Sequence, residues 1–375
     1  MAIKLLPPVD HFEPAPPTKE PLEYVSLVEV DLGRYDDGPE ARAVLAEQIR
    51  QAMTTQGFFV ARNHGFTEAE ITRQVDIGHH ILKHTPPEEK RRLEAPMSTE
   101  GSYHGFKPLS HWRTAGEVRD RIENFNVPRD MTRREQPACM APFRDEMQGF
   151  IDRTHKHVLF RLLRLFAIAL GIDDDEDCLV KLHDYSRRDE TYARYMRYYN
   201  AYTEEEKKET KGLWLAGHQD FTSLSLLFSQ PTAGLQVREY GTDKWKYVPH
   251  VPGAIVVNAG EVMAWWTGGY FKAAIHRVVE PPADQRGRDR CGVYYFCLPN
   301  DDVVINTLLR ESPVLREAGV AMAHEPGRAP TSKEWITSRI KITLQNRVWE
   351  GKGEGGEGVT TVVEKVGNVS TTWFR

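Results

Sequence analysis

Residues 213–238 read LWLAGHQDFTSLSLLFSQPTAGLQVR. Three short apolar runs, 213–218, 223–228 and 234–238, are interrupted by polar, proline and glycine residues at intervals too short for helices. The same grammar continues on both sides. Runs rich in β-branched and aromatic residues fall at 192–199, 245–248, 253–258, 273–279 and 291–298, set apart by glycine, proline or charged turns. Eight short strands with no helix-length insertion predict an antiparallel sandwich or barrel over residues 191–300.

Upstream, the proline-rich residues 1–22 predict an extended arm. A strand is expected over 24–32. Val44, Leu45, Ile49, Ala52 and Met53 form a helical stripe within 39–55, and 57–62 reads as a short strand closed by Asn63-His64-Gly65. Thr67 with Glu70 spells a capping box for a helix running to about His84. Residues 95–142, rich in Pro, Gly and Arg, read as loop with short strands. A long amphipathic helix is expected over 143–170, with Phe150, Ile151, Val158, Leu159, Leu162, Leu163 and Phe166 on its core side. Downstream, Thr331 and Glu334 open a last helix over 330–345, and GKGEGGEG (351–358) reads as a flexible linker before a strand or a disordered tail. The expected division is an arm (1–22), an α/β region (23–190), the strand core (191–300), a helical region (301–349) and a glycine-rich tail (350–375), one domain overall.

The 375 residues are 40% hydrophobic, enough to bury a large core. A net charge of −5 without a basic block argues against nucleic acid or an anionic membrane as partner. No apolar run approaches the ~18 residues of a membrane span, and the N-terminus lacks a secretion-signal pattern. Cys139, Cys178, Cys291 and Cys297 form no CxxC pair. Cys291 and Cys297 share one expected strand, about 20 Å apart, beyond the reach of a disulfide. A reduced, cytoplasmic protein is expected; the oligomeric state is left open.

Within the strand core, Gly217-His218-Gln219-Asp220 sets a histidine and an aspartate two residues apart, on one face of a strand. Alone, the pair reads better as a surface ion pair. His276, in KAAIHRVVE (272–280), is a single imidazole among apolar neighbours and alone reads as a satisfied core residue. Together, two imidazoles and one carboxylate make the set that caps one face of a non-haem iron(II) ion, leaving three positions for dioxygen and a bidentate substrate. Arg290, at the head of CGVYYFCLP (291–299), can hold a carboxylate through two parallel hydrogen bonds. Its alternative is an exposed residue of the basic turn 285–290.

Gly57-Phe58-Phe59 with Asn63-His64-Gly65, Gly217-His218-Gln219-Asp220, residues 223–228, Gly234-Leu235-Gln236-Val237, PGAIVVNAG (252–260), Phe271-Lys272 with His276-Arg277-Val278-Val279, and residues 295–300 occur in one order and spacing. In this series the chain resembles the isopenicillin N synthase-like branch of the iron(II)/2-oxoglutarate-dependent oxygenases, across about residues 25–300. The resemblance implies a mainly β fold with flanking α: a distorted double-stranded β-helix, or jelly roll, with helices packed outside. It assigns His218, Asp220 and His276 to iron(II), and Arg290 to the 2-oxoglutarate carboxylate. It implies dioxygen as co-substrate, ascorbate as an optional reductant, and hydroxylation, desaturation or ring formation on a small molecule with release of succinate and CO2. Two positions depart from the family. Its Arg-x-Ser is here Arg290-Cys291-Gly292, which removes a hydroxyl, and its tyrosine before the HxD motif falls on Ala201. Tyr199, two residues earlier, is nominated in its place.

The substrate wall is expected from Tyr103, Phe106, Lys107, Phe125, Phe221 and Phe296, with Arg197 set to meet an anionic group; core or loop packing is the competing reading for each. This aromatic bias suits a fairly apolar organic molecule. Two other functions remain open: an iron oxidase of the same fold that uses no 2-oxoglutarate, and a catalytically inactive jelly-roll binding protein.

Overall fold

The computed structural model describes residues 6–346 except 173, 243, 309 and 326, together with 361–366 and 369–374. The strands are β1 (Val28–Asp31), β2 (Phe58–Arg62), β3 (Gly105–Lys107), β4 (Arg113–Ala115), β5 (Val118–Arg119), β6 (Ile122–Pro128) and β7 (Tyr192–Tyr198). They continue with β8 (Leu213–His218), β9 (Leu224–Phe228), β10 (Leu235–Arg238), β11 (Trp245–Tyr247), β12 (Ile255–Ala259), β13 (His276–Val279) and β14 (Arg290–Cys297). An 8-stranded sheet has the order β1-β2-β12-β9-β14-β7-β6-β3, and a 4-stranded sheet the order β11-β10-β13-β8. The core strands pass back and forth between the two sheets, β7, β9, β12 and β14 in the larger, β8, β10, β11 and β13 in the smaller. This is the jelly roll that eight short strands with tight turns imply.

The helices are α1 (Pro39–Thr55), α2 (Glu68–His84), α3 (Pro87–Arg92), α4 (Arg144–Arg153), α5 (Phe160–Ala169), α6 (Cys178–Lys181), α7 (Glu204–Thr210), α8 (Glu261–Trp266), α9 (Pro313–Glu317) and α10 (Ser332–Asn346). Alternation sorts each strand of the large sheet into an outer and an inner row. Ala193, Tyr195, Leu224, Leu226, Phe228, Ile255, Val257, Val293 and Tyr295 join Leu45, Ile49, Ile77, Leu162 and Phe166 of the helices in the main apolar core. The other row (Met196 and Tyr198; Leu227 and Val256) faces the small sheet and packs with Trp214 and Val278, or with Val237. The site lies between the sheets.

The capping box stands as read: Thr67 Oγ1 accepts from Glu70 N, and the Glu70 carboxylate accepts from Thr67 N. Thr331 and Glu334 cap α10 in the same way. Gly57 holds a φ of +70° where a side chain would strike the Lys272 carbonyl, so only glycine fits.

Of the other expectations, the uninterrupted strand core and the single helix over 143–170 are corrected. The core does contain helices, α7 and α8, each too short to show a period. Residues 95–142 hold four strands, of which β6 is buried along its whole length in the large sheet. The single helix expected over 143–170 is α4 and α5 joined by a π-helical turn, Thr154–Leu159. The four cysteines are free thiols. No helix among the described residues is long and apolar enough to cross a membrane. The linker 351–358 lies outside the described residues; beyond it β15 (Thr361–Val366) and β16 (Val369–Phe374) pair as an antiparallel hairpin.

Candidate active site

His218 ends β8 and His276 begins β13, and the two residues are directly paired across the antiparallel ladder. Their rings lie 4.4 Å apart, tilted by 51°. Strand β8 stops at His218, so alternation is not what aims Asp220. Its carbonyl accepts from Glu261 N at 2.8 Å, and its Oδ2 accepts from Asn258 Nδ2 at 2.8 Å. The free Oδ1 then stands 3.7 Å from Nε2 of each histidine, and one ligand atom from each residue fits within 4.8 Å of the others. Atoms bonded to a common ion at ~2.1 Å are roughly 3–4 Å apart.

The tautomers suit a metal. His218 Nδ1 meets the carbonyl of Ala216 at 2.9 Å, and His276 Nδ1 that of Ala274 at 3.2 Å. With the proton on each Nδ1, both Nε2 lone pairs face Asp220. Burial works to neutralise Asp220, but the attraction of the two imidazoles in their cationic form and the hydrogen bonds of Asn258 and Ser225 outweigh it, and the carboxyl is held below its usual range. The set of two nitrogens and one oxygen fits iron(II).

Arg290 is buried, 3% exposed, on the inner row of β14. Its Nη1 donates to Tyr294 Oη at 2.9 Å, and its guanidinium lies over the Tyr198 ring, 5.1 Å from the centroid. Burial opposes its charge; the phenols of Tyr294 and Tyr198 more than offset that and keep it a cation. It opens on a cavity of about 390 Å³ with Leu227, Leu235 and Val256. Tyr294 packs against Phe296 on one flank and the Leu227–Val256 cluster on the other.

Residues 191–299 match the family model described as the 2OG-Fe(II) oxygenase superfamily, and residues 29–145 match that described as non-haem dioxygenase in morphine synthesis N-terminal. The chain belongs to the 2OG-Fe(II) oxygenase superfamily. A 2-oxoglutarate-Fe(II) type oxidoreductase of Aspergillus fumigatus is 27% identical over 327 residues, 83% of this chain and 91% of that protein. The 2-oxoglutarate-dependent dioxygenase traH of Penicillium crustosum is 26% identical over 274 residues, 68% of this chain and 80% of its own length. In fold, the chain is similar to a full-length Neurospora crassa protein solved in complex with alpha-KG and thymine, with a TM-score of 0.72 at 22% identity over 84% of this chain and 97% of that one. The protein is an enzyme, an Fe(II)- and 2-oxoglutarate-dependent oxygenase that consumes dioxygen, and neither an oxidase independent of 2-oxoglutarate nor an inactive binding protein is favoured.

The oxygenase has a cavity of about 550 Å³ beside the His218–Asp220 turn. Tyr103, Lys107, Phe221 and Phe296 line it; Phe106, Phe125 and Arg197 do not. Register supplies the reason. Phe106 pairs with Phe125 and Phe125 with Tyr195, all on the helix-facing row, whereas Lys107 pairs with Asn124 on the inner row. Arg197 shares the outer parity, and its Nε donates to Asp289 Oδ2 at 2.8 Å. Tyr199 lies beyond the end of β7, its hydroxyl donating to Glu123 at 2.9 Å, so Tyr198 rather than Tyr199 meets Arg290. Lys107 is ion-paired with Asp120 inside the wall. Sequence reasoning passed over Arg194, whose Nε donates to Asn126 at 2.8 Å and whose guanidinium lies 4.7 Å from the Phe296 ring. It also passed over Asn258. A polar residue in the apolar run AIVVNA was the available signal.

Proposed function

We propose that His218, Asp220 and His276 hold the iron(II), that Arg290 anchors the distal carboxylate of 2-oxoglutarate, and that the 550 Å³ cavity takes a small, fairly apolar organic molecule. The observation that carries this is the convergence of two Nε2 atoms on one carboxylate oxygen at 3.7 Å. Bound together, the ion and 2-oxoglutarate supply the oxidation of a C–H bond, with succinate and CO2 released. The chain's own part is positional. Residues 191–300 carry these groups as the catalytic core, with the flanking regions packed on it as one domain. Tyr103, Tyr192 and Phe296 give flat apolar walls that exclude water, while Arg194 offers a cation to one polar end of the substrate. Which C–H bond the wall holds nearest the triad decides among hydroxylation, desaturation and ring formation.

An anaerobic titration tests the reading. Iron(II) followed by 2-oxoglutarate should develop a weak visible charge-transfer band in the parent protein and none in Asp220→Ala. Asp220→Ala should also abolish succinate formation while its circular dichroism is unchanged; succinate at the parent rate would refute the ligand role. Arg290→Leu should raise the 2-oxoglutarate requirement far more than the substrate requirement. A loss confined to substrate affinity would reassign Arg290 to another anion.

A further inference from the structure

Gly292 occupies the position where the resembled family carries the hydroxyl of its Arg-x-Ser, two residues along the same inner row as Arg290. The space beside it is filled. A Cβ built on Gly292 would lie 1.7 Å from Nε2 of Gln230 and 3.1 Å from its Oε1. A side chain from the loop after β9 therefore lies where a residue of β14 would project. Residues 290 and 292 are roughly 7 Å apart along one row of the strand, and the side chains of Gln230 and Arg290 border the same cavity.

Both groups are left wanting a partner. The Nε2 and Oε1 of Gln230 and the Nε of Arg290 are shielded from solvent without a hydrogen bond. Unpaired buried donors are costly, and a shared location for them signals a ligand with acceptor atoms. Gln230 and Arg290 line one cavity, whose wall includes Leu227, Leu235, Val248 and Val256 together with Ser229 and His250. Two unpaired N–H groups bordering one cavity match one carboxylate.

We infer that Gln230 is a 2-oxoglutarate-binding residue, its carboxamide donating to the distal carboxylate beside Arg290 in place of the hydroxyl that Gly292 lacks. The inference rests on the assignment of Arg290 to that carboxylate. It makes Gly292 and Gln230 a matched pair, the absence of one side chain making room for the other. A serine at 292 and a glutamine at 230 would compete for one space.

Equilibrium binding tests it without turnover. The Fe(II)-loaded protein is titrated anaerobically by calorimetry with 2-oxoglutarate, and with pyruvate, which chelates alike but has no distal carboxylate. Gln230→Ala should weaken 2-oxoglutarate about tenfold, the value of one charge-assisted hydrogen bond, and leave pyruvate unchanged. Gln230→Glu, of the same shape but opposed in charge, should weaken it further. Adding Gly292→Ser to Gln230→Ala should recover most of the loss. Equal affinity of parent and Gln230→Ala for 2-oxoglutarate, or an equal loss for pyruvate, overturns the role of Gln230. Failure of the parent itself to bind 2-oxoglutarate would sink the underlying assignment instead. Iron(II) affinity and melting temperature, measured alongside, should match in all variants.

Discussion

Asp220 owes its direction to hydrogen bonds from other elements, because its strand has already ended. Asn258, on β12, donates to Oδ2 and leaves Oδ1 toward the two histidines. Such outer partners typically contribute 10–100-fold to metal affinity. Asn258→Ala should therefore weaken iron(II) or manganese(II) binding by roughly that factor with the ligand set intact; an unchanged dissociation constant would mean that backbone geometry alone positions Asp220. The triad itself was legible because its residue types and spacing carry the chemistry directly. Orientation at Tyr198 and Tyr199 was not. Two adjacent tyrosines in YMRYYN look alike in sequence, and one step of register exchanges the barrel interior for the helix side. Only pairing with β14, Arg290 opposite Tyr198, decides between them. Gln230 was illegible for a related reason: its contact is with the missing side chain of a residue 62 positions away.

Among elements, the strands of the core were legible because each alternates or is bounded by turn residues. β6 was hidden. Its sequence IENFNVP carries Glu123, Asn124 and Asn126 at buried positions, and polar content masks a strand whose partners lie far off in the chain. Lys90 and Tyr199 satisfy Glu123, and Arg194 with the Tyr103 carbonyl satisfies Asn126. Helix α10 was readable from its cap, but what it covers was not. Its Trp335 donates to the Phe221 carbonyl at 3.2 Å, and Arg339, 0% exposed, pairs with Glu261 of α8 while lying over the Phe221 and Trp335 rings. Glu261 in turn donates its backbone N–H to Asp220, so α10 braces the metal-side turn through α8. Removing one member of a buried ion pair strands the other. Arg339→Ala should lower stability by about 3–5 kcal/mol in urea unfolding and loosen metal binding as well. The double variant Glu261→Gln, Arg339→Gln should lose less than the single one. If Arg339→Ala is as stable as its parent, the brace is decorative.

Across the whole molecule, buried neutral histidines hold the layers together. One nitrogen of His183 meets the Ser223 hydroxyl at 2.7 Å and the other the Leu179 carbonyl at 2.8 Å, joining the α6 region to the loop before β9. Burial presses its pKa down to about 4, and that of His104 likewise. In the unfolded chain a histidine takes its proton near pH 6.5. Between pH 6.5 and 4 the unfolded state thus binds a proton that the native state refuses, so each such group lends stability fully present above 6.5 and lost as pH falls toward 4. The slope is about 1.4 kcal/mol per pH unit for each group. Glu261 acts in the opposite sense, since burial pushes its pKa up to about 7 and the native carboxyl is then penalised as pH rises from 4.5. The total slope therefore mixes signs, and the informative quantity is the difference between parent and variant. His183→Gln keeps a hydrogen-bonding side chain and removes the titration. It should be less stable at pH 7 yet lose less on acidification, its urea midpoints at pH 7, 6 and 5 converging on those of the parent. Parallel midpoints across that window would mean that His183 takes up its proton alike in the native and unfolded states, and the link between burial and neutrality at this layer would fail.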